Sequence, residues 1–177
     1  VYAGAHEDID AFVMKFDPAG LLVYSSYLGG AGRDRGAAIG VDAAGNAYVA
    51  GRTFSNGFPV KDAIKPEKFN DPSAASIFIT KLALRTNPSS PLVYSTYLGG
   101  SKDDIAYSVA VDSQGSAYVV GGTESPDFSV TGDALQSGLG LLRRGAGRTA
   151  ASGFLMKLNP AGSDLTYSTY FGGNNNE

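Results

Sequence analysis

The stretch Tyr-Ser-Ser-Tyr-Leu-Gly-Gly at residues 24–30 returns as Tyr-Ser-Thr-Tyr-Leu-Gly-Gly at 94–100 and as Tyr-Ser-Thr-Tyr-Phe-Gly-Gly at 167–173. The copies start at residues 24, 94 and 167, so their spacing is 70 and then 73 residues. The tyrosines and glycines that define the motif are Tyr24, Tyr27, Gly29, Gly30, Tyr94, Tyr97, Gly99, Gly100, Tyr167, Tyr170, Gly172 and Gly173. A string that recurs at nearly constant spacing is typical of a repeat architecture.

The composition predicts a globular, strand-rich protein and disfavours several functions. Of 177 residues, 43% are apolar and 18% are charged, and the 24 glycines fit a chain with many tight turns. A net charge of −3 leaves no basic face for the phosphates of a nucleic acid. The sequence has no cysteine for a disulfide or a thiolate, no tryptophan on which a sugar would stack, and no run of about 18 apolar residues that would span a membrane.

Four short apolar runs recur in each repeat and are bounded by turn residues, which is the pattern of β-strands. The first to fourth runs begin near residues 12, 22, 36 and 47 and return near 78, 92, 106 and 117; the first two return again near 154 and 165. The third and fourth runs are joined by predicted tight turns, with Asp42, Gly45 and Asn46 in one repeat and Asp112 and Gly115 in the next. Four strands per repeat predict an all-β fold of β-propeller blades.

A second shared pattern, Val-Asp-x-x-Gly-[Asn/Ser]-x-Tyr-Val followed by Gly-x-Thr-x-Ser-x-x-Phe, occupies residues 41–58 and 111–128. Together with the Tyr-Ser-Thr-Tyr-Leu-Gly-Gly motif it resembles the SBBP family of seven-bladed β-propeller repeats. The resemblance implies a bacterial or archaeal protein that is secreted or displayed in the cell envelope, and it carries little information about function. The chain departs from the family pattern at Ser129, where proline is usual.

Small residues place the third run nearest the propeller axis, where space is short, and the tyrosine-rich second run then lies outermost. On this basis residues 1–28 supply three strands of an incomplete blade, including Val1–Gly4, and residues 29–98 and 99–171 form two blades. Residues 172–177 begin the next repeat. About two and three-quarter blades, against four to eight in a ring, predict either a fragment of a longer polypeptide or completion by other chains.

Two long connections, residues 52–76 and 122–152, are predicted to leave the blades on one face, opposite the short turns. Function concentrates in loops that are held on rigid scaffolds. The sequence therefore predicts that any binding of proteins or polymers takes place on this long-loop face.

Equivalent acids begin the third run of each repeat: Asp34, Asp104 and Glu177. They predict either a ring of carboxylates that would hold a cation such as calcium, or three carboxylates that each cap a local turn. No other cofactor is expected. His6, the single histidine, is expected in a polar loop rather than a metal site. Lysines recur at the equivalent positions 15, 81 and 157 of the three repeats. Because a catalytic site needs an arrangement that the other repeats lack, these lysines are expected to pair locally.

The sequence contains no recognisable set of residues for nucleophilic catalysis. It predicts a non-catalytic β-propeller scaffold of a secreted or cell-surface protein, which contacts proteins or polymers through the long-loop face or acts as a subunit of a larger assembly. Its partners would be the remaining blades of its own propeller, neighbouring subunits, or other envelope proteins and polymers. The alternative is a polysaccharide- or peptide-processing enzyme with acids such as Asp34 and Asp104 near the axis.

Overall fold

The computed structural model describes residues 9–69, 71–84, 91–139 and 151–172, and within these ranges the chain forms ten β-strands. The strands are β1 (Ala11–Phe16), β2 (Leu22–Leu28), β3 (Asp34–Val41), β4 (Ala47–Thr53), β5 (Ser76–Leu82), β6 (Leu92–Leu98), β7 (Asp104–Val111), β8 (Ala117–Thr123), β9 (Ser152–Leu158) and β10 (Leu165–Phe171). They pair as a two-stranded sheet, β1–β2, and two four-stranded sheets, β3–β4–β5–β6 and β7–β8–β9–β10. All pairs are antiparallel, which confirms the predicted all-β fold of blade-like sheets.

The strand order places the third run of each repeat at one edge of its sheet and the second run at the other. Strand β7 packs against β3, β4 and β5 of the neighbouring sheet, so the edge strands with small residues lie side by side. Two apolar clusters fill the spaces between consecutive sheets. The four-stranded sheets thus stack face to face, as blades do around an axis.

The repeats share their strand register as well as their sequence. Phe12 lies opposite Tyr27 in the first sheet, and Phe78–Tyr97 and Phe154–Tyr170 are the equivalent pairs in the other two. A bulge interrupts β3 against β4 between Gly36 and Ala38, and another interrupts β7 against β8 at the equivalent place. Residues at equivalent positions can therefore be compared directly between blades.

The turn between the third and fourth runs is built around an aspartate and a glycine. Gly115 has φ +86° and donates its backbone N–H to the carbonyl of Asp112. The Asp112 carboxylate accepts the backbone N–H groups of Gln114 and Ser116. The first four-stranded sheet repeats this turn at Asp42–Asn46, with φ +83° at Gly45. Positive φ is the conformation that favours glycine at this position.

Replacing Gly115 with valine is expected to lower the melting temperature by several degrees, because a β-branched residue at positive φ costs at least about 1–2 kcal/mol. Thermal unfolding followed by circular dichroism measures the shift. Gly132→Val is the control, since its φ lies outside the left-handed range and no atom lies within 4 Å of its added Cβ. Equal melting temperatures for the two variants would contradict the turn.

The first sheet differs from the other two because the structure describes only two of its strands. The third predicted strand, Val1–Gly4, lies outside the described residues. The outward side of β1 is exposed at Phe12, Met14 and Phe16, whereas the opposite side, with Ala11 and Val13, packs on the next sheet. The first sheet thus has one covered face and one open face.

The described parts of the long loops run along the outer edges of their sheets. Lys61 pairs with Ser95 through two backbone hydrogen bonds, and the Tyr97 backbone N–H donates to the Lys65 carbonyl. In the next blade Thr131 and Gln136 bond to β10 in the same way. Each loop runs along the outermost strand and covers its edge, which protects that edge from pairing with another chain.

No helix in the described parts of the chain is long and apolar enough to cross a membrane.

Candidate functional site

A buried aspartate at the start of each inner strand joins two loops. The Oδ2 atom of Asp104 accepts the backbone N–H of Gly100 at 2.6 Å and the hydroxyl of Ser125 at 2.9 Å. Asp34 repeats this geometry with Gly30 and Ser55, both at 2.7 Å. Each carboxylate therefore ties the Gly-Gly connection between blades to the loop that follows β4 or β8.

In the two four-stranded blades, the last tyrosine of the motif holds the same loop from the other side. The Tyr170 hydroxyl donates to the Ser125 carbonyl at 2.7 Å and accepts the Phe128 backbone N–H at 3.1 Å. In the preceding blade Tyr97 makes the same two bonds, to Ser55 and Phe58, both at 2.8 Å. The hydroxyl is thus a donor and an acceptor for one short loop.

A phenylalanine three residues after the serine fills the space between two aromatic rings of its own blade. The Phe58 ring stacks on Phe78 with 4.5 Å between centroids and meets Tyr97 edge-on at 6.2 Å. Phe128 lies between the equivalent Phe154 and Tyr170. We call this arrangement the blade lock; its members are Asp34, Ser55, Phe58, Phe78 and Tyr97 in one blade and Asp104, Ser125, Phe128, Phe154 and Tyr170 in the next.

The second glycine of the motif is required by this close packing. A Cβ atom on Gly100 would lie 2.5 Å from both the Ser125 Cβ and a carboxylate oxygen of Asp127. Real Cβ atoms do not approach that closely, so a larger residue would push the loop away from the lock.

Burial raises the pKa of the Asp104 carboxyl to about 6, and hydrogen bonds from Thr123, Gly100 and Ser125 offset part of that rise. The nearby carboxylate of Asp127 raises the pKa further. Burial also raises the pKa of Asp34. Close to Asp104, burial lowers the pKa of the Lys65 ammonium, whose Nζ donates to the Gly99 carbonyl at 3.0 Å. The lock is therefore a water-poor site in which a charged carboxylate is disfavoured.

The raised pKa of Asp104 predicts that the lock loses stability as the pH rises. A carboxyl whose pKa is higher in the folded than in the unfolded chain binds its proton more tightly when folded, so its contribution is present near pH 4 and is lost as the pH passes about 6. The loss between pH 4 and pH 7.5 is at most about 3 kcal/mol. Urea unfolding of wild type and Asp104→Asn at both pH values measures it.

The difference between the two proteins isolates Asp104 from other carboxylates. Burial acts to raise the pKa of Asp42, but its hydrogen bonds and Lys81 outweigh burial and lower it, and hydrogen bonds and Lys157 lower the pKa of Asp112. The stability that these two carboxylates contribute is therefore lost as the pH falls below 3.8, opposite to the direction for Asp104. Because both proteins contain these groups, they cancel. A difference in unfolding free energy that stays constant across the range would contradict the buried carboxylate.

The structure places two of the three predicted cation ligands in separate locks. Asp34 and Asp104 are each enclosed by the loops of their own blade, in the turn-capping role, while Glu177 lies outside the described residues. Within the described ranges no group of three His, Cys, Asp or Glu residues could hold a metal ion. His6 also lies outside the described residues.

Two of the three equivalent lysines hold neighbouring turns. Lys81 Nζ donates to the Pro160 carbonyl of the next blade at 3.2 Å and lies 4.9 Å from the centroid of the Tyr48 ring. Lys157 pairs with Asp112 at 3.5 Å. On the same side of the sheets the Tyr48 hydroxyl bonds to Asp42 and to the Gly115 carbonyl of the next blade. The contacts of Lys81 and Tyr48 tie the short turns of consecutive blades together, whereas the Lys157–Asp112 pair lies within one blade.

Sequence reasoning did not assign roles to Ser55, Ser125 and the phenylalanines of the lock. The signal was present in the Gly-x-Thr-x-Ser-x-x-Phe pattern, which occurs in both complete blades. The threonine of that pattern also has a role, because the Ser125 backbone N–H donates to the Thr123 hydroxyl. The threonine, the serine and the phenylalanine of the pattern therefore all contribute to the lock.

Comparison with known proteins agrees with this repeated geometry. The family model described as the SBBP beta-propeller repeat matches residues 23–59 and 93–129. Each match starts in an outer strand, crosses the Gly-Gly connection and ends just after the lock phenylalanine. No curated protein matches the chain. The chain therefore carries two repeats of the SBBP β-propeller family, and the matched segments contain the aspartate of each blade lock and the serine and phenylalanine of its Ser-x-x-Phe loop.

Proposed function

We propose that this chain is a non-catalytic scaffold of propeller blades whose open end faces bind further blades, either of its own polypeptide or of neighbouring subunits. One comparison carries the proposal. Met156 on β9 is 0% exposed because the preceding blade covers it, while Met14 at the equivalent position of β1 is 49% exposed. The first sheet thus presents a blade face of the kind that is covered elsewhere in the same chain.

The far end of the chain supports the proposal with a complementary face. Val120 and Phe171 are exposed on the third sheet, whereas Ala50 and Leu98, at the equivalent positions of the second, are buried beneath the next blade. Between the second and third sheets, the face that carries Ala50 and Leu98 packs against the equivalents of Phe12 and Met14, which are Phe154 and Met156. The two open faces of one chain therefore have the shapes that meet between its own blades, which is a head-to-tail arrangement.

The surroundings of the acids favour this function over the alternative enzyme. A general acid or base must reach the substrate within hydrogen-bond distance. Asp34 and Asp104 are both fully buried and accept bonds from their own loops. We place the scaffold in a secreted or envelope protein of a bacterium or archaeon on the strength of the repeat family alone.

Sedimentation equilibrium of the chain at increasing concentration tests the proposal. We expect the average mass to rise with concentration for wild type and to stay at that of one chain for Met14→Lys, since a lysine cannot be buried in the apolar contact. Leu135→Lys is the control, because this leucine is exposed in the loop that runs along β10, and its variant should associate like wild type. A wild-type chain that stays monomeric at every concentration would contradict the proposal.

A further inference from the structure

The first sheet contains two residues of a blade lock whose loop is missing. Phe12 and Tyr27 lie opposite each other, as Phe78–Tyr97 and Phe154–Tyr170 do in the complete blades. Phe78 and Tyr97 are covered by the Ser-x-x-Phe loop of their blade. Phe12 is 64% exposed and Tyr27 is 47% exposed.

The sequence explains why this site is open. In the complete blades the connection between the second and third strands of the sheet brings Thr-x-Ser-x-x-Phe, at residues 53–58 and 123–128. At the equivalent place in the first repeat, Gly4 and Ile9 are joined by Ala-His-Glu-Asp, which contains neither the serine nor the phenylalanine. The segment that would fill the site must therefore come from outside this repeat.

We propose that Phe12 and Tyr27 form a binding site for a peptide segment that carries serine three residues before phenylalanine, supplied by another propeller blade. The Tyr27 hydroxyl donates to the carbonyl of that serine and accepts the backbone N–H of the phenylalanine, whose ring stacks on Phe12. Both contacts are the ones that Tyr97 and Phe78 make within their own blade. The inference deepens the proposed function and rests on it, because it names the segment that an incoming blade contributes.

The outer edge of β2 gives the site a second part. In the complete blades the same loop continues along the outermost strand, where Lys61 bonds to Ser95 and Thr131 bonds to Ser168. Ser25 occupies the equivalent position of β2, and no described segment pairs with that edge. The site therefore selects an extended segment that pairs with the edge after its phenylalanine, as in β-strand addition.

A peptide with the sequence of residues 53–66 of this chain is a suitable probe, because it contains both the Ser-x-x-Phe motif and the edge-pairing part. Titrating it into the isotope-labelled chain, we expect saturable NMR shifts at Phe12, Ser25 and Tyr27. Tyr27→Phe should weaken binding roughly five- to tenfold, since it removes both the hydrogen bond that the hydroxyl donates and the one that it accepts. Phe12→Ala and a peptide with Phe58→Ala should abolish saturation.

Matched controls separate this site from others. Tyr107→Phe alters an exposed tyrosine on β7 and should leave the affinity unchanged. Shifts confined to Tyr97 and Tyr170, which would mean exchange with the chain's own loops, or an absence of saturation would each overturn the inference. Association of whole chains that persists without peptide binding would overturn this inference alone, whereas loss of both would also overturn the proposed function.

Discussion

Replacing Phe78 with alanine is expected to lower the free energy of unfolding by about 3–5 kcal/mol, because Phe78 is fully buried and stacks on the Phe58 ring. The same replacement at Phe12 should cost less than about 0.5 kcal/mol in the isolated chain, since that side chain is mostly exposed. The two residues occupy one repeat position and differ only in what covers them. Urea unfolding followed by circular dichroism measures both values.

The comparison of Phe12 with Phe78 also has an internal control. Phe154→Ala should resemble Phe78→Ala, because the ring of Phe154 is likewise buried against Phe128. A Phe12→Ala variant that is destabilised as much as these two would mean that the open face is covered within the chain, and it would remove the basis of the proposed function.

Replacing Asp104 with alanine is expected to cost about 2–4 kcal/mol at pH 5, because the Gly100 N–H and the Ser125 hydroxyl then lose their buried acceptor. The experiment is done at pH 5 because Asp104 is then neutral in wild type. At higher pH its buried negative charge would itself destabilise the wild-type protein and reduce the difference. Chemical unfolding of the two proteins side by side gives the difference.

Asp133→Ala is the matched control for Asp104→Ala, because Asp133 is an exposed aspartate without a hydrogen bond in the described structure. Its replacement should change stability by less than about 0.5 kcal/mol. If both alanine variants unfold at the same urea concentration, the carboxylate does not hold the two loops together.

Strand positions could be predicted from the sequence because each strand is a short apolar run between strong turn signals. The second run was predicted to begin near residues 22, 92 and 165, and β2, β6 and β10 begin at Leu22, Leu92 and Leu165. The sheet order agrees with the prediction that small residues mark the inner strand, because β3 and β7 each lie at one edge of their sheet and contact each other. Strand positions and the identity of the inner strand could thus be predicted from local periodicity and residue size, without knowledge of any long-range contact.

The lock could not be derived in the same way, because its contacts join residues far apart in sequence. Asp34 and Ser55 are 21 residues apart, and Ser55 and Tyr97 are 42 apart. From the sequence, Asp34 and Asp104 were predicted either to form a cation ring or to cap local turns, and only the fold shows which donors reach each carboxylate. The pairing of Lys61 with Ser95 could not be predicted for a related reason, because it has no local signature in the sequence.

The open face of the first sheet can be tested most directly by oxidising the two methionines of the chain, because they occupy equivalent positions of β1 and β9. Dilute hydrogen peroxide followed by peptide mass spectrometry measures the rate at each one. We expect Met14 to form the sulfoxide much faster than Met156 in dilute isolated chains, and to become protected when chains associate. Equal protection of both methionines in the isolated chain would contradict an open blade face.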